Sequence, residues 1–188
     1  MFRQHLDVLL DLMQNLPEAL ENIFTHHHEP NAVFSALLPV LCDVLESDRA
    51  FLYLRNPFTR AGKTPYCWQR RQDVPNVATF TVQVEPESLP KEDPLFAAAL
   101  RTDPSIFVED VETADPRVVN LAFEQKSFGH RALIHSHLCQ DGMLWGVLQP
   151  SIFDRPRIWS EFDRAIVAQI EHKLTPLAVM YVNKEIPN

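Results

Sequence analysis

Glycine and cysteine are both scarce: 188 residues hold four glycines and three cysteines. Cys42, Cys67 and Cys139 are too few and too scattered for a disulfide framework, and their odd number suits a reducing compartment, so a cytoplasmic protein is expected. Basic residues are outnumbered, 17 against 25 acidic, and the net charge of −8 argues against non-specific binding of nucleic acid, which needs Lys and Arg to neutralise phosphates. A local group, Arg55, Arg60, Lys63, Arg70 and Arg71, reads as a solvated loop and strand edge. No apolar run approaches the roughly 20 residues of a membrane span, and the N-terminus has acidic residues inside its apolar pattern rather than a signal-peptide core. There is no phosphate-cradling Gly-rich loop, no HExxH and no Walker motif, so no catalytic residues and no metal site are assigned.

What is present is a chain with 46% hydrophobic and 22% charged residues, long enough to bury a core. Phe2, Leu6, Leu9, Leu10 and Met13 recur at helical spacing, and Pro17 begins a further turn or two. Asn31 is placed to cap a helix through Val33, Phe34, Leu37, Leu38, Leu41 and Leu45, with Pro39 inside it. Asp48–Arg55 reads as a strand with Arg49, Phe51 and Tyr53 on one side. The Asn-Pro pair and Gly62 mark a turn, and strands follow at Tyr66–Arg71 and Ala78–Val84. Asp93-Pro94 opens a short helix, Ser105–Val111 is a strand, and Asp115-Pro116 should open another helix through Phe128. Arg131–Cys139 and Leu144–Gln149 form a hairpin about Asp141-Gly142. Ser160 and Asp163 have capping-box spacing ahead of a last helix through Tyr181. The result is an α+β sandwich: an antiparallel sheet of about six strands, terminal helices on one face and shorter helices and loops on the other. Residues 1–30 form a helical extension, 31–183 the domain and 184–188 a tail.

Three segments carry a family resemblance: ESDRAFLYL, VEDVET and LWGVLQPSIFDRPRIWSEFDRAIVAQI. Asp48-Arg49 at the first strand, Leu144-Trp145-Gly146 after Asp141-Gly142, and Pro156-Arg157-Ile158-Trp159 before the last helix resemble the GAF domains of phytochromes and cyanobacteriochromes. The resemblance spans roughly residues 33–182. It implies the GAF sandwich, a role in signalling, and a photosynthetic, cyanobacterial source. It also locates what is missing: the position of the bilin-attaching Cys-His pair reads Asn120-Leu121, and that of a further chromophore-contacting His reads Ser151. Covalent bilin is therefore not expected, and no cofactor is assigned. The Asn-Lys-x-Phe-x-Asp-Glu motif of cyclic-nucleotide-binding members is absent, as is the cysteine pattern of the methionine sulfoxide reductases built on this fold.

Strand alternation puts Leu133, His135, His137 and Cys139 on one face, and the resemblance makes that face the pocket wall. His135 is then a polar group of a pocket rather than a metal ligand. The run Thr25-His26-His27-His28 reads as a helix end with histidines favourable to the dipole. Two functions remain open. The first is a stand-alone, non-catalytic regulatory or assembly domain acting through contacts with an unidentified protein partner, with a homodimer expected. Its interface candidates are Phe2, Leu6, Leu9, Met13, Phe153, Arg157 and Trp159. The second is a sensor that holds a non-covalent ligand, a bilin or other apolar compound. Its pocket candidates are Tyr53, Phe80, Phe123, Leu133 and His135, with Arg49 or Arg131 available for a carboxylate.

Overall fold

A computed structural model describes residues 15–186, so the expected helix and interface candidates at Phe2, Leu6, Leu9 and Met13 lie outside the described residues. The elements run α1 (Glu18–His26), α2 (Pro30–Val44), β1 (Arg49–Arg55), β2 (Ala61–Gln69), β3 (Thr79–Val84), α3 (Leu89–Glu92) and α4 (Pro94–Leu100). They continue with β4 (Ile106–Val108), α5 (Leu121–Ser127), β5 (Ala132–Gln140), β6 (Met143–Ile152) and α6 (Glu161–Glu185). One six-stranded sheet has the order β3-β2-β1-β6-β5-β4, and its pairs are antiparallel.

The sheet is covered on both faces. Ala50, Leu52, Leu54, Ile134, Leu138, Leu148 and Ile152 pack with Phe34, Leu41, Ile166, Ile170 and Leu174 of α2 and α6 into the main core. The opposite face carries two smaller clusters, Leu95 with Val108, Val111, Val119 and Leu133, and Phe96 with Ala99, Leu144 and Val147. The polar and aromatic residues of this second face build the site.

Local chemistry sets most boundaries. Asp141 and Gly142 both have positive φ, 55° and 70°, the requirement of a tight two-residue hairpin turn that matches strand twist. Ser160 and Asp163 complete the capping box: each side chain accepts from the other residue's backbone N–H. Asp93 caps α4 by accepting from the Phe96 N–H at 3.0 Å. Gly146 lets two strands approach: a Cβ there would sit 2.6 Å from the Tyr53 carbonyl oxygen. Beside it, a register shift at the β5–β6 pair turns Trp145 into the main core, where it is 5% exposed.

Four expectations need correction. Helix α2 starts at Pro30, whose missing N–H needs no partner at that position, and Asn31 lies inside it, accepting instead from the Tyr66 hydroxyl. Strand β2 begins at Ala61, inside the segment read as a turn, because Thr64 and Pro65 together face Tyr53 in a bulge that spares Pro65 a ladder bond. Asp115 folds only a turn, accepting from the Arg117 N–H at 2.9 Å, and the helix α5 starts later under an Asn120 cap. The strand expected at Ser105–Val111 is only three residues long, Ile106–Val108.

The Pro156–Trp159 segment explains its composition by what it covers. Trp159 Nε1 donates to the Val108 carbonyl at 3.0 Å, the Arg157 N–H donates to the Glu109 carbonyl at 2.8 Å, and the Arg157 guanidinium lies 4.8 Å from the Trp159 ring centre. These bonds take carbonyls of the short edge strand β4 and its end, which would otherwise be left without partners. Trp159, named as an interface candidate, is thus 2% exposed and part of the core.

Candidate functional site

The second face of the sheet and helices α3, α4 and α5 enclose a partly open cavity of about 310 Å³, at the lower end of the ~300–1,000 Å³ typical of ligand sites. Five aromatic rings line it: Phe51 and Tyr53 from β1, Phe96 from α4, Phe123 from α5 and Phe128 just beyond it. Phe51 and Phe128 stack with centres 5.7 Å apart, and Tyr53 meets Phe96 edge-on at 6.3 Å. Gly62 makes room for Tyr53, since a Cβ there would lie 2.2 Å from its hydroxyl.

The polar groups are held by partners in the wall and behind it. Tyr53 donates to Glu85 at 2.6 Å, and Glu85 is gripped in bidentate fashion by Arg55 at 2.7 and 2.9 Å, with Arg55 also donating to the Leu144 carbonyl. The pair is buried, so it fixes the chain after β3 against β1. Burial, then the Glu85 charge, pushes the Tyr53 phenol well above its ordinary range. Burial also pushes the Asp93 carboxyl up to about 7, against the stabilising Phe96 N–H and with the Glu124 carboxyl adding to the rise.

Behind Phe51 and Phe128 lies a buried polar cluster. Arg49 is fully buried and donates to the Pro75 carbonyl at 2.9 Å, while its Nε and Nη2 have no partner. Its guanidinium sits 4.8 Å from the Phe153 ring centre and 5.4 Å from that of Phe51. Glu124 and His130 share a 2.7 Å contact, and the Gln149 amide lies 3.5 Å from the other ring nitrogen of His130. Burial pushes Glu124 up to about 7 in spite of Arg49, and burial followed by the Arg49 charge holds His130 down at about 3. At neutral pH His130 is therefore uncharged, and Glu124 is protonated far more often than an exposed carboxyl.

The candidate residues divide accordingly. Tyr53, Phe123 and His135 line the cavity. Leu133 packs one layer away, against Leu95 and Val108. Arg49 is behind the Phe51–Phe128 pair. Phe80 is 77% exposed on the edge strand β3, whose Thr79, Gln83 and Val84 line the cavity in its place. Arg131 points away from the cavity and is clamped by Asp110 at 2.6 and 2.9 Å. Phe153 serves as a wall for Arg49, and Arg157 is bound to Asp163 at 3.1 Å. Sequence reasoning missed Phe51, Asp93, Glu85 and Gln149 as cavity residues. Phe51 shares strand parity with Arg49 and Tyr53, a signal that was available; Glu85 reaches the site only through a partner 30 positions away.

None of the three cysteines lines the cavity. Cys42 is buried in the main core and pushed up to about 12 by burial; Cys139 is pushed up to about 11 by burial, then by the Glu171 charge. Asn120 is engaged in capping α5 and in donating to the Glu92 carbonyl at 2.8 Å, and Ser151 is buried in β6. Among the described residues no group of His, Cys, Asp and Glu is arranged to hold a metal ion, and no helix is long and apolar enough to cross a membrane.

With this geometry in view, three solved structures show the same fold. The GAF domain of an Acinetobacter phosphoenolpyruvate-protein phosphotransferase matches with TM-score 0.66 at 11% identity, covering 96% of this chain and 97% of its own. The corresponding domain from Coxiella burnetii gives TM-score 0.66 at 11% identity, covering 93% and 95%. The GAF domain of the cyanobacteriochrome TePixJ gives TM-score 0.63 at 15% identity, covering 84% and 93%. No curated protein matches the chain. At these identities the likeness shows the fold alone. The family model for the GAF domain matches residues 29–171, most of the chain, and with the six-stranded sheet and its covered second face it establishes that this protein belongs to the GAF domain family.

Proposed function

We propose that this GAF domain is a regulatory sensor that holds a small, largely apolar ligand non-covalently between the sheet and helices α3–α5, and passes its occupancy to a protein partner. The observation that carries this reading is the cavity of about 310 Å³, walled by aromatic rings and fitted with polar groups whose orientation is fixed from behind. Asp93 and His135 each use one polar atom inside the fold, on the Phe96 N–H and on His137, and each lines the cavity, which leaves a further polar atom for a ligand. Non-covalent retention follows from the cysteine positions: no thiol faces the cavity, and burial keeps Cys42 and Cys139 protonated and unreactive. Among the described residues that line the cavity, no nucleophile is paired with a base, which supports a non-catalytic role.

A second reading, action through protein contacts alone, is favoured by the edge strand β3, where Phe80 is 77% and Val84 62% exposed. Both readings lead through one experiment. A native mass spectrum and an absorption spectrum of the purified protein are expected to show added mass that is lost on denaturation, without the visible bands of a bilin. A bare polypeptide that takes up no compound from a fragment collection would refute the sensor and leave the contact-only reading.

A further inference from the structure

The two histidines of β5 fix the chemistry of the ligand that the cavity accepts. His137 Nδ1 lies 2.7 Å from the Asp103 carbonyl oxygen, and a carbonyl can only accept, so Nδ1 of His137 carries a proton. Burial lowers the affinity of both rings for a second proton, at His135 most of all, where His137 adds to the effect. A neutral His137 with its proton on Nδ1 offers Nε2 as a lone pair. That Nε2 is 2.9 Å from His135 Nδ1, which must therefore be the donor. The remaining nitrogen of His135, Nε2, is then a lone pair too, and no described residue donates to it. A backbone carbonyl outside the cavity thus sets, through two rings, the polarity of a group in its wall. His137 does this without lining the cavity itself.

The rest of the wall agrees. Asp93 and Glu85 present carboxyl groups, and the ammonium of Lys63 is drawn to the helix side, 5.3 Å from the Tyr181 ring centre. Two buried cations lie nearby: Arg49 is shut off by Phe51 and Phe128, and the Arg55 guanidinium, which does not line the cavity, is spent on Glu85 and the Leu144 carbonyl. Among the described residues, an anionic ligand would meet carboxyl groups and a lone pair, while Arg49, Arg55 and Lys63 are each engaged elsewhere.

We infer that the cavity selects small uncharged aromatic compounds that present an O–H or N–H donor to His135 Nε2, and rejects carboxylates and donor-free analogues of the same shape. The inference rests on the sensor reading above and names the ligand class for that site.

Phenol, anisole and benzoate are the probes, with binding followed by calorimetry and by the thermal shift of the full chain. Phenol is expected to bind about tenfold more tightly than anisole, the worth of one hydrogen bond to a buried acceptor, and benzoate not at all. His135→Phe should erase the preference for phenol. His137→Phe should weaken it as well, because His135 Nδ1 loses its acceptor and the tautomer is released; a merely structural role for His137 would not touch the ratio. Long-range proton–nitrogen NMR of the unaltered protein should show both rings protonated on Nδ1 alone. A proton on His135 Nε2, or equal binding of phenol and anisole, would overturn the inference while leaving the ligand site standing. Binding of neither probe would overturn the inference, and the fragment collection then decides whether the sensor reading falls with it.

Discussion

Replacing Glu124 with Gln should stabilise the protein at neutral pH and do almost nothing in acid. Glu124 is 1% exposed and contacts His130 through a single carboxyl oxygen at 2.7 Å, while its other oxygen has no partner. Burial lifts its pKa from an ordinary 4.5 to about 7. A carboxyl with a raised folded pKa leaves stability untouched below the unfolded pKa, where both states are protonated. As pH climbs from the unfolded value towards the folded one, the unfolded chain ionises first and stability is lost. At about 1.4 kcal/mol per pH unit, the rise from 4.5 to about 7 corresponds to about 3 kcal/mol at neutral pH. Gln has the same shape, can donate to His130 as the protonated acid does, and does not titrate. The stability difference between Glu124→Gln and the unaltered protein should therefore grow from under about 0.5 kcal/mol near pH 4 to about 3 kcal/mol near pH 7. Urea unfolding at a series of pH values measures it directly. A difference that stays flat with pH, or a variant less stable at neutral pH, would show that Glu124 is ionised and serves as counter-ion to Arg49, and would refute the reasoning.

Three further outcomes are expected. Glu85→Ala leaves the Arg55 guanidinium buried without its bidentate partner and should cost about 3–5 kcal/mol by urea unfolding, with Tyr53 fluorescence changing in parallel. Gly62→Ala places a methyl group where the Tyr53 hydroxyl lies, forces the ring out of its bond to Glu85, and should cost about 1–3 kcal/mol in the same assay while weakening phenol binding. Ser160→Ala removes one half of the capping box of α6 and should cost about 1 kcal/mol without altering ligand affinity, which separates stability from function.

The architecture was legible because its strongest signals are local. Asp141-Gly142 dictates its hairpin through two positive φ angles, and Ser160 with Asp163 dictates where the last helix starts. Strand parity placed Arg49 and Tyr53 on one face and His135 with His137 on one side of β5, as found. Errors arose where tertiary context overrode a local signal. Gly62 and Pro65 look like turn residues, yet a bulge absorbs Pro65 and a tyrosine ring demands Gly62. Phe80 follows the alternation of a buried strand, but β3 is an edge strand that offers Thr79, Gln83 and Val84 to the cavity and leaves Phe80 exposed. The Arg55–Glu85 clamp and the Glu124–His130 pair were out of reach, since nothing in a lone acidic residue announces a partner across the fold. Asp93 was legible as a cap, but its second role at the cavity wall appears only when α4 is seated on the sheet.

The central claim is that the cavity between the sheet and α3–α5 takes a ligand, and NMR mapping of fragment hits tests it most directly. Compounds that raise the melting temperature are expected to shift amide signals of Tyr53, Phe96, Phe123, His135 and Val147, and to lose both effects in Val147→Trp, whose indole fills the space. Shifts gathered elsewhere on the surface, or hits that bind Val147→Trp equally well, would contradict it.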